Sequence, residues 1–180
     1  MANICSFCMC VKGNHDNIIN FYNAMSQKGN VWMGRGAAAD IQWEDDGNKA
    51  FIDGWCKWSI QSAMIDNAIS MRTESDKWYF EDADITTLEF VTLPEACKKW
   101  NITMEVYSEE PGCCFQEHFL IDKENTIIDE CVEWNEYYIE DFETKEEAET
   151  ELGIAIMDSE WDNNDEYITR GGFKNWNFEI

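Results

Sequence analysis

The sequence is poor in basic residues and in proline, and each shortage excludes a class of protein. Its 180 residues include 13 Lys and Arg against 37 Asp and Glu, which gives a formal net charge of −24. Such a chain repels the phosphates of DNA, RNA and anionic lipids, so we expect no direct nucleic-acid partner and no membrane partner. Two prolines leave no Pro-rich linker, and the length suits one domain with an appendage.

Long hydrophobic runs are missing too. No stretch of eighteen apolar residues is present to span a bilayer. The first residues lack the basic region and apolar core of a secretory signal, so we expect a cytoplasmic protein whose eight cysteines are thiols. What the chain does have is 14% aromatic residues, nine of them Trp, which excludes a disordered acidic tail.

The hydrophobic pattern predicts an α+β fold. The predicted elements are a strand over 3–11, a helix over 15–28, strands over 38–44 and 49–61, a short helix over 62–71, a helix from 86 or 87 to 99 or 100, strands over 102–108, 113–121 and 126–138, and an acidic helix over 144–152. The first six major elements follow the βαββαβ order of a ferredoxin-like antiparallel sheet with helices on one face. We assign residues 1–140 to this domain and 141–180 to an acidic C-terminal extension packed on it.

Single residues sharpen these assignments. Asn14 is the expected N-cap of the first long helix and Gly29 its C-cap. Pro94 suits the first turn of a shorter helix that starts near Leu93 better than a helix interior. Trp58 is predicted to lie in the core.

Three stretches together resemble a known family. They are Asn3-Ile4-Cys5, Cys56-Lys57-Trp58-Ser59, and Ser108–Gly112 followed by Phe115–His118. These resemble the YubB-like ferredoxin-fold proteins carried by phages, prophages and plasmids, although the start departs from the family's Pro-Asn-Trp-Cys at two positions. The resemblance covers roughly residues 1–140 and implies the fold and a mobile-element origin. It implies no catalytic residues.

The cysteines near the start have a spacing that is found in zinc sites. Cys5, Cys8 and Cys10 form C-x₂-C-x-C, but in a strand Cys8 and Cys10 point to one face and Cys5 to the other. No paired Cys or His motif follows, so we favour small buried core residues and expect no metal or cofactor. Cys113 and Cys114, adjacent on a predicted strand, are interpreted in the same way.

One acid–base cluster is a candidate for chemistry. Glu109, Glu110, Glu117 and His118 flank a Pro-Gly turn between two predicted strands, and carboxylates with His can bind a divalent cation or exchange protons. A metal-dependent enzyme or ligand-binding protein is therefore an alternative. We expect no enzyme, because no nucleophile lies beside a recognisable base and Glu117 and His118 should face opposite ways.

The acidic charge is the strongest functional signal. Residues 1–100 hold 14 acids and 9 bases, whereas 101–180 hold 23 acids and 4 bases. A net charge of about 2–8 in magnitude suffices for the solubility of a small domain. We therefore expect a viral or mobile-element DNA mimic that binds and inhibits a basic nucleic-acid-handling host protein, such as a CRISPR effector nuclease. The predicted contact face comprises Glu146, Glu147, Glu149, Glu151, Asp158, Glu160, Asp162 and Asp165.

Two alternatives to mimicry stay open. The charge can serve solubility alone, since a charged run is usually a solvated face. The chain can also be a structural or regulatory protein of a mobile element that forms a homodimer through an exposed sheet edge.

Overall fold

The protein has an α+β fold dominated by an antiparallel sheet. The computed structural model describes residues 4–25, 29–33, 36–44, 46–65, 90–153, 155–156, 161, 167–173 and 175–180. The strands in them are β1 Ile4–Lys12, β2 Ala37–Trp43, β3 Lys49–Lys57, β4 Thr103–Glu110, β5 Phe115–Ile121, β6 Thr126–Tyr138 and β7 Tyr167–Gly171. The helices in them are α1 His15–Ala24, α2 Gln61–Met64, α3 Leu93–Trp100 and α4 Lys145–Leu152, with a 3-10 turn at Ile139–Asp141.

The strands pair side by side in the order β2-β3-β1-β4-β5-β6-β7, and every neighbouring pair is antiparallel. β1 lies between β3 and β4, which explains why its sequence is almost uncharged, as the sequence predicted. β6 pairs with β5 through its first half and with β7 through its last five residues, 134–138.

One face of the sheet carries the main hydrophobic core. Met104 and Val106 project to this face from β4, as their alternation predicted, and both are fully buried. α1 and α3 pack over it, and the rings of Phe21 and Trp100 join them at a centroid distance of 5.9 Å. The two helices therefore share one core with the central strands.

Local chemistry sets where these helices begin. The Asn14 side chain accepts a hydrogen bond from the Asp16 backbone N–H, as a predicted N-cap should. Thr92 and Glu95 form a capping box, with Pro94 in the first turn of α3. The shorter helix that Pro94 indicated is thus confirmed.

The opposite face of the sheet is covered by the C-terminal segment, residues 173 and 175–180. The ring of Trp176 stacks on Tyr107 of β4 at 5.8 Å, and the ring of Phe178 meets both Tyr107 and Phe51. The Cys10 thiol lies 3.7 Å from the Ile180 carbonyl oxygen. The apolar residues at the end of the chain thus contact this face of the sheet.

Several sequence predictions need correction. α1 ends at Ala24 with Met25 as its C-cap, so Gly29 does not cap it. β3 stops at Lys57 rather than residue 61, because Trp58 adopts a left-handed backbone with φ of 85°. Its side chain is 64% exposed instead of lying in the core. Of the helix predicted over 62–71, the described part is α2, and residues 66–89 lie outside the described residues.

The cysteine pair before β5 was also misplaced. Residues 111–114 form a turn, so Cys113 and Cys114 do not lie on a strand. Cys113 is exposed and Cys114 is half-buried with φ of 54°. The Pro-Gly turn extends two residues further than the alternation of β5 indicated.

Candidate interaction surface and a carboxylate-lined recess

The densest charge on the described chain runs from β6 to α4. Residues 126–153 contain 11 acids and a single base, Lys145. We call the exposed acids of this stretch the acidic surface. Its members are Asp129, Glu130, Glu133, Glu140, Asp141, Glu143, Glu146, Glu147 and Glu151.

α4 holds its part of the acidic surface in a fixed place. The Thr144 hydroxyl accepts a hydrogen bond from the Glu147 N–H at 3.1 Å, and Gly153 ends the helix with a left-handed φ of 65°. On the buried side of α4, Ala148 packs in a small cluster with Ile156 and with Ile168 of β7. Since β7 pairs with the end of β6, this cluster anchors α4 beside the sheet.

Four of the eight predicted contact residues lie in the described part of the chain, and three of these are exposed. Glu146, Glu147 and Glu151 are exposed on α4. Glu149 is half-buried, because its Oε1 accepts the Ile156 N–H at 2.9 Å and lies 3.9 Å from Lys145 Nζ. The other four predicted contacts, Asp158, Glu160, Asp162 and Asp165, lie outside the described residues.

The predicted contact face omitted the carboxylates of β6. Asp129, Glu130 and Glu133 are exposed there. They lie on the part of β6 that pairs with β5 and, among the described residues, not with β7; acidic side chains on such a stretch are a usable signal, because charges discourage a further strand from pairing.

The acid–base cluster predicted around the Pro-Gly turn does not form. Glu117 of β5 is opposite Ser108 and faces the helices, whereas His118 is opposite Tyr107 and faces the C-terminal segment. Glu109 lies on the His118 side, where its Oε2 accepts a hydrogen bond from the Gln116 amide at 3.3 Å. The alternation of two strands therefore divides the four residues between two faces of the sheet.

Glu117 is a buried carboxylate that caps α2. Its Oε2 accepts hydrogen bonds from the Ile60 N–H at 2.7 Å and the Ser108 hydroxyl at 2.8 Å, and its Oε1 accepts one from the Gln61 N–H at 3.1 Å. Burial raises the pKa of Glu117 despite these three hydrogen bonds, which act in the opposite direction. Its main role in this geometry is structural.

His118 belongs to a second buried polar group. Its Nε2 lies 2.8 Å from Oε1 of Glu105, which is fully buried, and its Nδ1 lies 3.6 Å from Glu130. Its ring stacks on Tyr107 at 4.0 Å. Burial, and then the neighbouring Glu105 carboxylate, raises the pKa of Tyr107. This group fastens the C-terminal segment, because the other oxygen of Glu105 accepts the backbone N–H groups of Glu179 and Ile180.

A recess opens on the helix side of the sheet beside Glu117. It has a volume of about 340 Å³. Its lining residues are Trp58, Ser59, Gln61, Cys113, Phe115, Glu117 and Cys131. It thus combines an exposed indole, a phenyl ring and a buried carboxylate.

The prediction that the N-terminal cysteines are small buried residues holds for Cys5 and Cys10, whereas Cys8 is half-buried. Cys5 packs in the helix-side core, and Cys8 and Cys10 lie on the opposite face. Burial raises the pKa of Cys8 to about 12 and that of Cys10 to about 11, which disfavours the thiolate that a metal needs. Among the residues that the structure describes, no three His, Cys, Asp or Glu side chains are grouped as metal ligands would be.

Comparisons with protein-family models, with curated proteins and with solved structures found no match to this chain. In the described part of the chain, no helix has both the length and the apolar character that crossing a membrane requires.

Proposed function

We propose that this protein is a non-enzymatic inhibitor that binds a basic, nucleic-acid-handling host defence protein through the acidic surface. The observation that carries the proposal is the exposure of nine carboxylates along β6, the 3-10 turn and α4, where the sequence supplies one base. Lys and Arg side chains that grip phosphates would pair with these carboxylates instead. A CRISPR effector nuclease is the partner class that we favour.

The cost of this surface supports a role in binding. Glu147 and Glu151 are both exposed and lie four residues apart on α4, where like charges repel each other. A net charge of −24 also repels itself over the whole molecule. Solubility requires much less charge, so a positively charged partner is the better explanation.

The fold and origin inferred from the sequence enter here as proposals. The order β2-β3-β1-β4, with α1 and α3 packed together, supports a ferredoxin-like core that is extended by β5, β6 and β7. Membership of the YubB-like family and a mobile-element origin stay predictions, as does a cytoplasmic site of action.

The test is a salt-dependent binding measurement with a purified, guide-loaded CRISPR effector nuclease. We expect affinity to fall at least about tenfold from roughly 0.05 M to roughly 0.5 M NaCl, because surface charges are screened over shorter distances at higher salt. Duplex DNA should compete. The variant with Glu146, Glu147 and Glu151 all changed to Gln should bind more weakly than a control with Asp40→Asn, Glu44→Gln and Glu124→Gln.

The control variant removes the same number of exposed charges from other parts of the described chain. Equal affinities of the two variants would exclude the acidic surface as the contact face. Salt-insensitive binding, or no binding to any of several basic nucleases, would contradict mimicry. The homodimer alternative is tested by light scattering of the purified protein at low and high salt.

A further inference from the structure

We propose that the recess beside Trp58 accepts an arginine side chain of a protein partner. This inference rests on the proposed function, since it names a specific anchor for the same basic partner class. Its argument adds Trp58, Glu110 and Glu117 to two members of the acidic surface, Asp129 and Glu133.

The exposed indole is the first observation. Trp58 is 64% exposed, although tryptophan usually buries a large area in a core or an interface. Its backbone has φ of 85°, which is strained for a residue with a bulky side chain. The ring lines the recess and is exposed to solvent, where it is available to a partner.

The charge around the recess is the second observation. Cys131 of β6 is opposite Glu117 and lines the recess. Asp129 and Glu133 lie two residues to either side of Cys131, so alternation places them on the same face, and both are exposed. Three carboxylates therefore surround one wall of the recess, and their negative charge raises the pKa of the Cys131 thiol further, after burial.

A nearby buried carboxylate oxygen adds a third observation. Glu110 is opposite Phe115 in the β4–β5 register, so both side chains project to the face of the recess. Its Oε2 is buried and has no hydrogen-bond partner among the described residues. This oxygen is enclosed and does not line the recess, so its contribution is to the negative potential on the face of the sheet that holds the recess.

Arginine fits this combination better than other side chains. Its planar guanidinium stacks on aromatic rings and offers five N–H donors to carboxylates. The chain's own Lys57 shows that the indole accepts a cation, because its Nζ lies 6.0 Å from the Trp58 ring centroid. Lys57 brings one positive charge to the recess, whereas Glu117, Asp129 and Glu133 bring three carboxylates, so the net charge around the recess is negative. Arginine is also a common energetic anchor at protein interfaces.

Fluorine NMR of the full chain labelled with fluorinated tryptophan tests the inference. The Trp58 resonance is identified by its loss in Trp58→Phe, and the probe is a capped Gly-Arg-Gly-Arg-Gly peptide at millimolar concentration. We expect a saturable shift of this resonance, with little shift when neutral citrulline replaces both arginines. Asp129→Asn with Glu133→Gln should weaken peptide binding several-fold, whereas Asp40→Asn with Glu124→Gln should leave it unchanged.

Two results would overturn the inference. One is a Trp58 resonance that does not move with the arginine peptide, and the other is an equal shift with the citrulline peptide. These variants retain Glu117, so loss of its cap on α2 cannot explain a negative result. If the peptide binds but no basic nuclease does, the recess binds arginine and the proposed function is wrong. If a nuclease binds and its affinity is unchanged by Trp58→Phe and by the Asp129 and Glu133 changes, the proposed function holds and the recess is not its arginine site.

Discussion

Glu105 of β4 and His118 of β5 are neighbours across the sheet, and together they fasten the end of the chain to its middle. His118 Nε2 lies 2.8 Å from Glu105 Oε1, while Glu105 Oε2 accepts the Glu179 and Ile180 backbone N–H groups. One buried carboxylate thus contacts the His118 ring 13 residues away and accepts backbone N–H groups more than 70 residues away along the chain. The carboxylate and the rings of Trp176 and Phe178 therefore both contribute to the covering of this face of the sheet.

Glu105→Gln should therefore destabilise the protein and loosen its C-terminal segment. A Gln amide keeps the shape but turns a donor toward His118 or toward the backbone N–H groups, so we expect a loss of about 1–3 kcal/mol in the free energy of unfolding. Urea denaturation at neutral pH measures the loss. Hydrogen exchange should show faster exchange of the Glu179 and Ile180 amides.

Glu179→Gln is the matched control, because it changes an exposed carboxylate in the same segment. It should leave the unfolding free energy nearly unchanged. Slow exchange of the two terminal amides in Glu105→Gln would show that the stacking of Trp176 and Phe178 holds the segment without the carboxylate.

Glu117 should contribute to stability in a pH-dependent way. Its pKa is raised in the folded state, chiefly by burial, so folding favours the protonated form. The folded chain then binds more protons than the unfolded chain at pH values just above the ordinary glutamate pKa. Stability from this group is fully present below the unfolded pKa and is lost as the pH rises through the folded pKa.

The measurement is urea unfolding of the wild type and Glu117→Gln over about pH 4 to 7. Taking the difference between the two proteins cancels the titration of the other 36 acids, which are common to both. The stability of the wild type relative to the variant should decrease as the pH rises. A difference that is flat, or that increases with pH, would show that the three hydrogen bonds outweigh burial.

The bounds of most helices and strands could be predicted from the sequence, whereas the side-chain contacts between neighbouring strands could not. β6 has the predicted bounds of 126–138, and Pro94 located the start of α3, because these signals are local. The Glu105–His118 pair depends on the β4–β5 register, and a shift by one residue would move each side chain to the other face. Neither residue type nor spacing gives that register.

Trp58 shows how one backbone angle can overturn a prediction made from the hydrophobic pattern. The sequence predicted a strand over 49–61 with the Trp58 indole in the core. The strand instead ends at Lys57, and the positive φ of the next residue turns the ring to solvent. A pattern of hydrophobic residues carries no information on such a turn when neither glycine nor asparagine marks it.

Thr92→Ala should cost about 1 kcal/mol in unfolding free energy, within the range of about 0.5–2 kcal/mol for lost N-caps. The Thr92 hydroxyl accepts the Glu95 N–H at 3.4 Å, while Glu95 Oε2 accepts the Thr92 N–H at 2.8 Å. Thermal or urea unfolding measures the cost. Thr92→Ser should recover most of the lost stability, and equal losses for Ala and Ser would assign the effect to the methyl group in the core instead.

The order in which the cysteines are alkylated should report how accessible each thiol is on the two faces of the sheet and in the turn after β4. Cys113 is exposed in the turn after β4, so iodoacetamide at about pH 8 should modify it first. Cys56 and Cys97 should react last, because both side chains are fully buried and burial raises the pKa of Cys97 to about 12. Peptide mass spectrometry over a time course gives the order, and in concentrated urea all eight cysteines should react at similar rates. The Cys97 thiol of α3 lies beneath that helix, 3.7 Å from the Ile121 carbonyl oxygen of β5. If Cys97 were alkylated before Cys113 in the folded protein, α3 would separate from β5 more readily than these buried contacts imply.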